Sequence, residues 1–258
     1  PEALRMVPGV QVARIASGVW AISARGFAGR FANKMLVLID GRTVYNPLFS
    51  GTYWEQRGVP LEMVDRIEVI RGPGAALWGA NAVNGVINII TRSAEDTVGT
   101  EVSALAGAPT ELVGFARHGA KLGETTWMQT WAQGAMREVM GGHPSGLDDQ
   151  WNDGRAGVRF DGTPNDTDRW SVQASAFVGR THFPISLPST APPFMTFVDS
   201  NTRYSGGHLL GSWARSLDDD GQVLVQAYYD RNEATERIGE QVIDTIDCAM
   251  RESERHGT

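Results

Sequence analysis

The chain has 258 residues, 41% of them hydrophobic, which is enough for one large domain or two ordinary ones with a packed core. Its 23 basic and 30 acidic side chains give a net charge of -7, which argues against a nucleic-acid surface, since such domains carry a basic excess. No apolar run approaches the roughly 18 residues of a spanning helix, so a helical membrane protein is excluded. A β-barrel is not excluded, because its strands are short and only alternately apolar. Cys248 is the single cysteine, so internal disulfides and zinc sites built on paired cysteines are ruled out.

Glu2 to Pro8 reads as the end of a helix stopped by proline. No charged segment followed by an apolar stretch precedes it, and the chain reads as an excerpt. Met35 to Ile39 is a continuous apolar run closed by Asp40-Gly41, which predicts a buried strand and a tight bend. Gly58 to Val64 predicts a short helix with Pro60 at its first position. Asp65 to Ile70 alternates charged and apolar residues, as a strand with one buried face does. Val86 to Thr91, rich in β-branched residues, is another strand.

Beyond residue 95 the pattern becomes repetitive. Ala156, Val158 and Phe160 share one face of a segment; Trp170, Val172, Ala174 and Ala176 share a face of the next. Val223, Val225, Ala227 and Tyr229 lie opposite Gln226, Tyr228 and Asp230. Seven or eight such segments fall at about 99–107, 111–122, 125–137, 153–162, 168–181, 204–216, 221–233 and 236–247. Short polar turns at 122–124, 162–166 and 217–221 separate longer links at 138–152 and 182–203. That order suits an outer-membrane barrel. A soluble β-sandwich alternates too, and periodicity alone leaves both open. In a barrel, Ala156, Val158, Phe160 and Val172 face lipid; in a sandwich they are core.

The stretch Arg71-Gly72-Pro73-Gly74-Ala75-Ala76-Leu77-Trp78-Gly79-Ala80-Asn81-Ala82-Val83-Asn84-Gly85-Val86-Ile87-Asn88-Ile89-Ile90-Thr91 resembles the plug signature of TonB-dependent outer-membrane receptors. Val7 to Val10, Ser23 to Phe27 and Val37 to Arg42 resemble further blocks of that family in the same order. Leu48 to Trp54 is similar to its siderophore and colicin receptors. The resemblance implies an α+β plug domain followed by the N-terminal part of an antiparallel transmembrane β-barrel, incomplete in this chain. Residues 1–95 would be the plug, 96–247 the first seven or eight barrel strands, and 248–258 an atypical, highly charged tail, as after a frameshift. It also implies a bacterial outer-membrane location, the periplasmic energy-coupling protein TonB as partner, and outer-membrane lipid around the wall. The ligand would be a scarce, siderophore-like small molecule, an iron chelate in the first instance, with cobalamin, haem or oligosaccharide open. A non-transporting β-rich binding module is the other alternative. No resident cofactor, metal site or nucleic-acid partner is expected.

Ligand candidates lie in the apical loops: Arg30, Phe31, Tyr45, Phe49, Tyr53 and Trp54. Aromatic rings beside an arginine suit an anionic, partly apolar chelate, although Phe49 or Trp54 packing in the core is an equal reading. Arg25, Gly26, Asp40, Gly41, Glu68, Arg71, Gly72, Pro73, Gly79, Asn81, Gly85 and Asn88 belong to the plug signature and are read first as fold determinants. Since plug arginines pair with barrel carboxylates in this family, Arg71 and Arg25 are expected to be held that way. His118, His143, His182, His208 and His256 lack ligand spacing and read as lumenal or interfacial. Trp127, Trp131, Trp151, Trp170 and Trp213 read as an interfacial girdle. Asp218-Asp219-Asp220 reads as a solvated turn. No nucleophile elbow, phosphate loop or dinucleotide motif is present, so an enzyme is not expected. Seven or eight strands are too few to enclose a plug, because a barrel of about eight strands has an interior filled by its own side chains.

Overall fold

The computed structural model describes residues 1–24, 26, 29, 32–46, 51–72, 78, 81–107, 110–138, 149–217, 221–239 and 241–256. Two regions of different construction follow one another. The first contains β1 (Val10–Arg14) and β2 (Trp20–Ala24), paired as an antiparallel hairpin. It also contains β3 (Met35–Ile39), β4 (Arg42–Thr43), β5 (Val64–Arg71) and β6 (Gly85–Thr91), arranged in the order β4-β3-β6-β5. β3 and β6 run parallel, whereas β5 is antiparallel to β6.

β3 is an uninterrupted apolar run because both of its faces are covered, the usual condition of a parallel strand. Met35, Val37 and Ile39 pack with Trp20, Ile22, Trp54, Ile87 and Ile89 on one side. Leu36 and Leu38 pack with Ala82, Val86 and Trp78 on the other. β5 buries Ile67 and Val69 on that core while Arg66 and Glu68 stay outside, as its alternation predicts. The two predicted helical pieces are shorter than expected: Glu2–Met6 and Leu61–Met63 are single 3-10 turns, the second with Pro60 at its cap.

The second region is one antiparallel meander of eight strands in sequence order. They are β7 (Gly99–Gly107), β8 (Thr110–Lys121), β9 (Thr126–Glu138), β10 (Gln150–Gly162), β11 (Asp168–Pro188), β12 (Met195–Ser216), β13 (Gln222–Ile238) and β14 (Gln241–His256). The three predicted polar turns fall between strands at one end. The link expected over 182–203 is mostly strand, because β11 and β12 stay paired from Asp168↔Arg215 out to Pro188↔Met195. Residues 139–148, most of the other long link, and Asp218-Asp219-Asp220 lie outside the described residues. Backbone pairing also continues through the charged tail, with Cys248 opposite Arg231 and His256 opposite Val223.

Alternation sorts the sheet into two faces. Val172, Leu209, Trp213 and Tyr229 point outward and are between 37% and 52% exposed. Gln129, Asp153, Arg155, Asp230 and Asn232 point inward and are at most 7% exposed. An apolar outside over a polar inside is the pattern of an outer-membrane barrel and the reverse of a sandwich. The tryptophans divide accordingly. Trp170 and Trp213 stand directly opposite each other on the outer face at the turn end. Trp127, Trp131 and Trp151 share the inward-facing set and are not girdle residues; Trp151 donates to the Tyr204 hydroxyl at 2.8 Å.

Candidate functional site

The inner face of the sheet closes on the N-terminal region, and the contact is mostly polar. At the Asp40-Gly41 turn the backbone is left-handed, with φ of 51° and 78°, as a two-residue hairpin requires. The Asp40 carboxylate accepts from the Thr91 amide at 2.8 Å, the Thr91 hydroxyl at 2.7 Å and the wall residue Gln173 at 2.9 Å. Gln226 of β13 donates to the Asp40 carbonyl at 2.8 Å. Two residues on, Arg42 Nη1 lies 2.5 Å from Asp230 Oδ1 of the wall, and Arg57 Nη1 lies 3.2 Å from the same oxygen. Burial lowers the Arg42 guanidinium from its ordinary pKa, opposed chiefly by the neighbouring Asp230 charge. Arg42 Nε and Asp230 Oδ2 have no hydrogen-bond partner among the described residues. A cavity of about 60 Å³ beside them, lined also by His208 and Gln173, has room for water.

Further contacts ring this pair. The Ser17 amide donates to Asp149 Oδ1 at 2.8 Å, and its hydroxyl donates to the Asp149 carbonyl at 2.9 Å. Arg155, ion-paired to Asp153 at 2.5 Å, also donates to the Gly58 carbonyl. Asp161 accepts from the Ala94 amide at 2.6 Å, and Glu62 accepts from Ser103 at 2.8 Å. Apolar contact is made by Ala16 and Val19 on Phe183 and Ile185, and the Trp151 ring lies over Gly18. Between Trp20, Trp54, Arg137, Trp151 and Arg155 lies a second cavity of about 400 Å³.

The residues singled out in sequence are distributed unevenly. Among the described residues Arg71 meets no wall carboxylate; it donates to the Pro8 carbonyl at 2.9 Å and ties down the N-terminal segment. Glu68 accepts from Arg66 at 2.9 Å and Asn88 at 3.1 Å, and these two bonds, Arg66 first, lower its pKa. Gly72 donates to the Asn84 carbonyl at 3.0 Å. A Cβ at Gly85 would sit 2.4 Å from the Ile70 carbonyl oxygen, so β5 and β6 can pair only over glycine there. Gly26 has φ of 91°, and Asn81 is half-buried in a turn. Of the aromatic candidates, Trp54 sits in a turn and packs into the core, Tyr53 is 8% exposed, and Tyr45 is half-buried. Arg25, Arg30, Phe31, Phe49, Pro73 and Gly79 lie outside the described residues. His208 faces the lumen and bonds Ser175 at 2.8 Å, while His118 bonds Thr100 at 2.9 Å on the outer face.

Sequence reasoning missed Arg42, Arg57, Asp149, Asp161 and Asp230 as partners. A signal was present: Arg42 closes the block Val37 to Arg42, and Asp230 lies on the polar face of its strand.

A TonB-dependent Receptor Plug Domain matches residues 1–86. Residues 1–86 are thus a plug domain of the TonB-dependent receptors, and the eight antiparallel strands that follow share the fold of the opening barrel strands of solved receptors. Over 108 residues the chain is 40% identical to the vitamin B12 transporter BtuB of Vibrio vulnificus, a stretch that is 42% of this chain and 17% of that relative. Over 99% of its length it superposes on the ferric-catecholate import receptor Fiu of E. coli K12, with a TM-score of 0.67, 14% identity and 42% of that chain covered. The ferripyoverdine receptor of Pseudomonas aeruginosa gives the same TM-score and identity, with 36% of its chain covered. The chain thus spans less than half of either solved receptor.

Proposed function

We propose that this chain forms the plug and part of the wall of a transporter that takes up a scarce ligand across the outer membrane, driven by TonB. The observation that supports this is the character of the plug–wall contact. Hydrogen bonds and ion pairs around cavities can exchange for water when the plug shifts, whereas an apolar seam would resist opening. The ligand we propose is a bulky metal chelate, a ferric siderophore in the first instance, as the resemblance of Leu48 to Trp54 suggests. A second reading, cobalamin, is favoured by the 40% identity to a vitamin B12 transporter within a 108-residue stretch.

Uptake of radiolabelled ferric siderophores and of radiolabelled cobalamin, in cells with and without TonB, separates these readings. Accumulation of one label that disappears without TonB supports transport and selects the ligand. Uptake that persists unchanged without TonB would overturn the energy-coupled reading.

A further inference from the structure

On the outer face of the wall, Arg180 of β11 and Arg203 of β12 stand directly opposite each other. Both are exposed, and among the described residues neither has an acidic partner. Like charges in directly opposed positions destabilise a sheet unless something neutralises them. Nearby ionic groups are already engaged: Arg231 with Glu233, His182 with Asp199, and Asp244 with Thr235. The lower rim shows the contrast. There Arg215 pairs with Asp168 at 2.7 Å and stacks on Trp213 at 5.5 Å.

The height of the pair is informative. Arg180 is ten residues beyond Trp170, and Arg203 is ten residues from Trp213, along paired strands. At about 3.3 Å per residue and a tilt of about 40°, ten residues rise about 25 Å, the height of the apolar band of an outer-membrane barrel. With the tryptophan pair at the lower boundary, the arginine pair lies at the headgroup level of the outer leaflet.

Just below the arginines the outer face is hollow. Gly114, Gly134 and Gly154 are paired in one row across β8, β9 and β10. With Leu112, Met136 and Val178 they line a depression of about 970 Å³, and Arg180 and Arg203 stand at its margin. A phosphate on the guanidinium pair would let an acyl chain run down into this apolar depression.

We propose that this surface binds a phosphorylated lipid of the outer leaflet, its phosphate on Arg180 and Arg203 and one acyl chain over the glycine row. The test uses the detergent-solubilised receptor carrying this chain, with bound lipid counted by native mass spectrometry against dioleoyl phosphatidate and dioleoyl phosphatidylcholine. Phosphatidate is expected to bind preferentially, and the Arg180→Ala/Arg203→Ala variant to bind it about 30-fold more weakly, each arginine contributing about fivefold near an anionic lipid. Gly134→Leu fills the hollow without meeting any atom within 4 Å of its Cβ, and should also weaken phosphatidate with both arginines intact. Heat-modified gel mobility confirms that both variants fold. Equal binding of the two lipids, or undiminished phosphatidate on the double-alanine variant, would overturn the proposal. So would displacement of phosphatidate by millimolar inorganic phosphate, which would reduce the site to a free-phosphate contact.

Discussion

Arg42 of the plug meets Asp230 of the wall at 2.5 Å, with both side chains at most 4% exposed. Arg57 approaches the same carboxylate at 3.2 Å, so one wall acid holds two plug cations. Removing one partner of a buried pair strands the other's charge, which costs more than the pair itself contributes. Asp230→Ala is therefore expected to destabilise the plug–wall contact by about 3–5 kcal/mol. Protease resistance of residues 1–95 in the folded receptor reads the loss. An Arg42→Met/Asp230→Leu double variant removes both charges of the buried pair together and should lose less.

Gly85 is the second test. A methyl group there would stand 2.4 Å from the Ile70 carbonyl oxygen, which is backbone in a paired strand and cannot turn aside. Gly85→Ala should cost about 1–3 kcal/mol or more, as overpacking does, and loosen β5 from β6. Faster amide exchange along Val64–Arg71, with β3 unaffected, is the expected readout.

Much of this architecture was legible because it rests on local patterns. The apolar run of β3, the Asp40-Gly41 bend and the period-two wall segments each state their own geometry. The inside–outside assignment also follows from alternation, since Val172 and Tyr229 are exposed and Asp230 is buried as the pattern requires. The plug–wall partners were not legible, because Arg42 and Asp230 are 188 residues apart and only the assembled wall brings them together. For the same reason Arg71 was expected on a wall carboxylate: its charge shows in the sequence, but the nearness of the Pro8 carbonyl does not. Trp127, Trp131 and Trp151 were misplaced because a tryptophan suits both a membrane boundary and a lumen packed over glycine, as Trp131 is over Gly157.

Arg71→Ala should leave the plug as protease-resistant as before. Its bond to the Pro8 carbonyl is exposed, so the loss is about 1 kcal/mol, confined to the N-terminal segment. Amide exchange should quicken around residues 7–10. A general loosening of the plug would mean that Arg71 holds more than this one contact.

Trp54 separates core from ligand roles. Trp54→Ala is expected to cost about 3–5 kcal/mol, the usual loss for a buried tryptophan, and to lower the melting temperature of the plug. Trp54→Phe, which keeps most of the buried ring, should fold and bind ligand with unchanged affinity. A folded Trp54→Phe receptor with sharply weaker ligand binding would give Trp54 a direct contact after all.

The N-terminal region sits against the inner face of the wall formed by β7 to β14. Ser17 and Asp149, joined by hydrogen bonds of 2.8 Å and 2.9 Å, offer the most direct test. Cysteines at these two positions, with Cys248→Ser to remove the native thiol, should form an intramolecular disulfide under mild oxidation of the receptor in outer membranes. A reductant-sensitive bond linking the plug fragment to the barrel fragment after proteolysis is the expected result. Free thiols at both positions in folded receptor would contradict it.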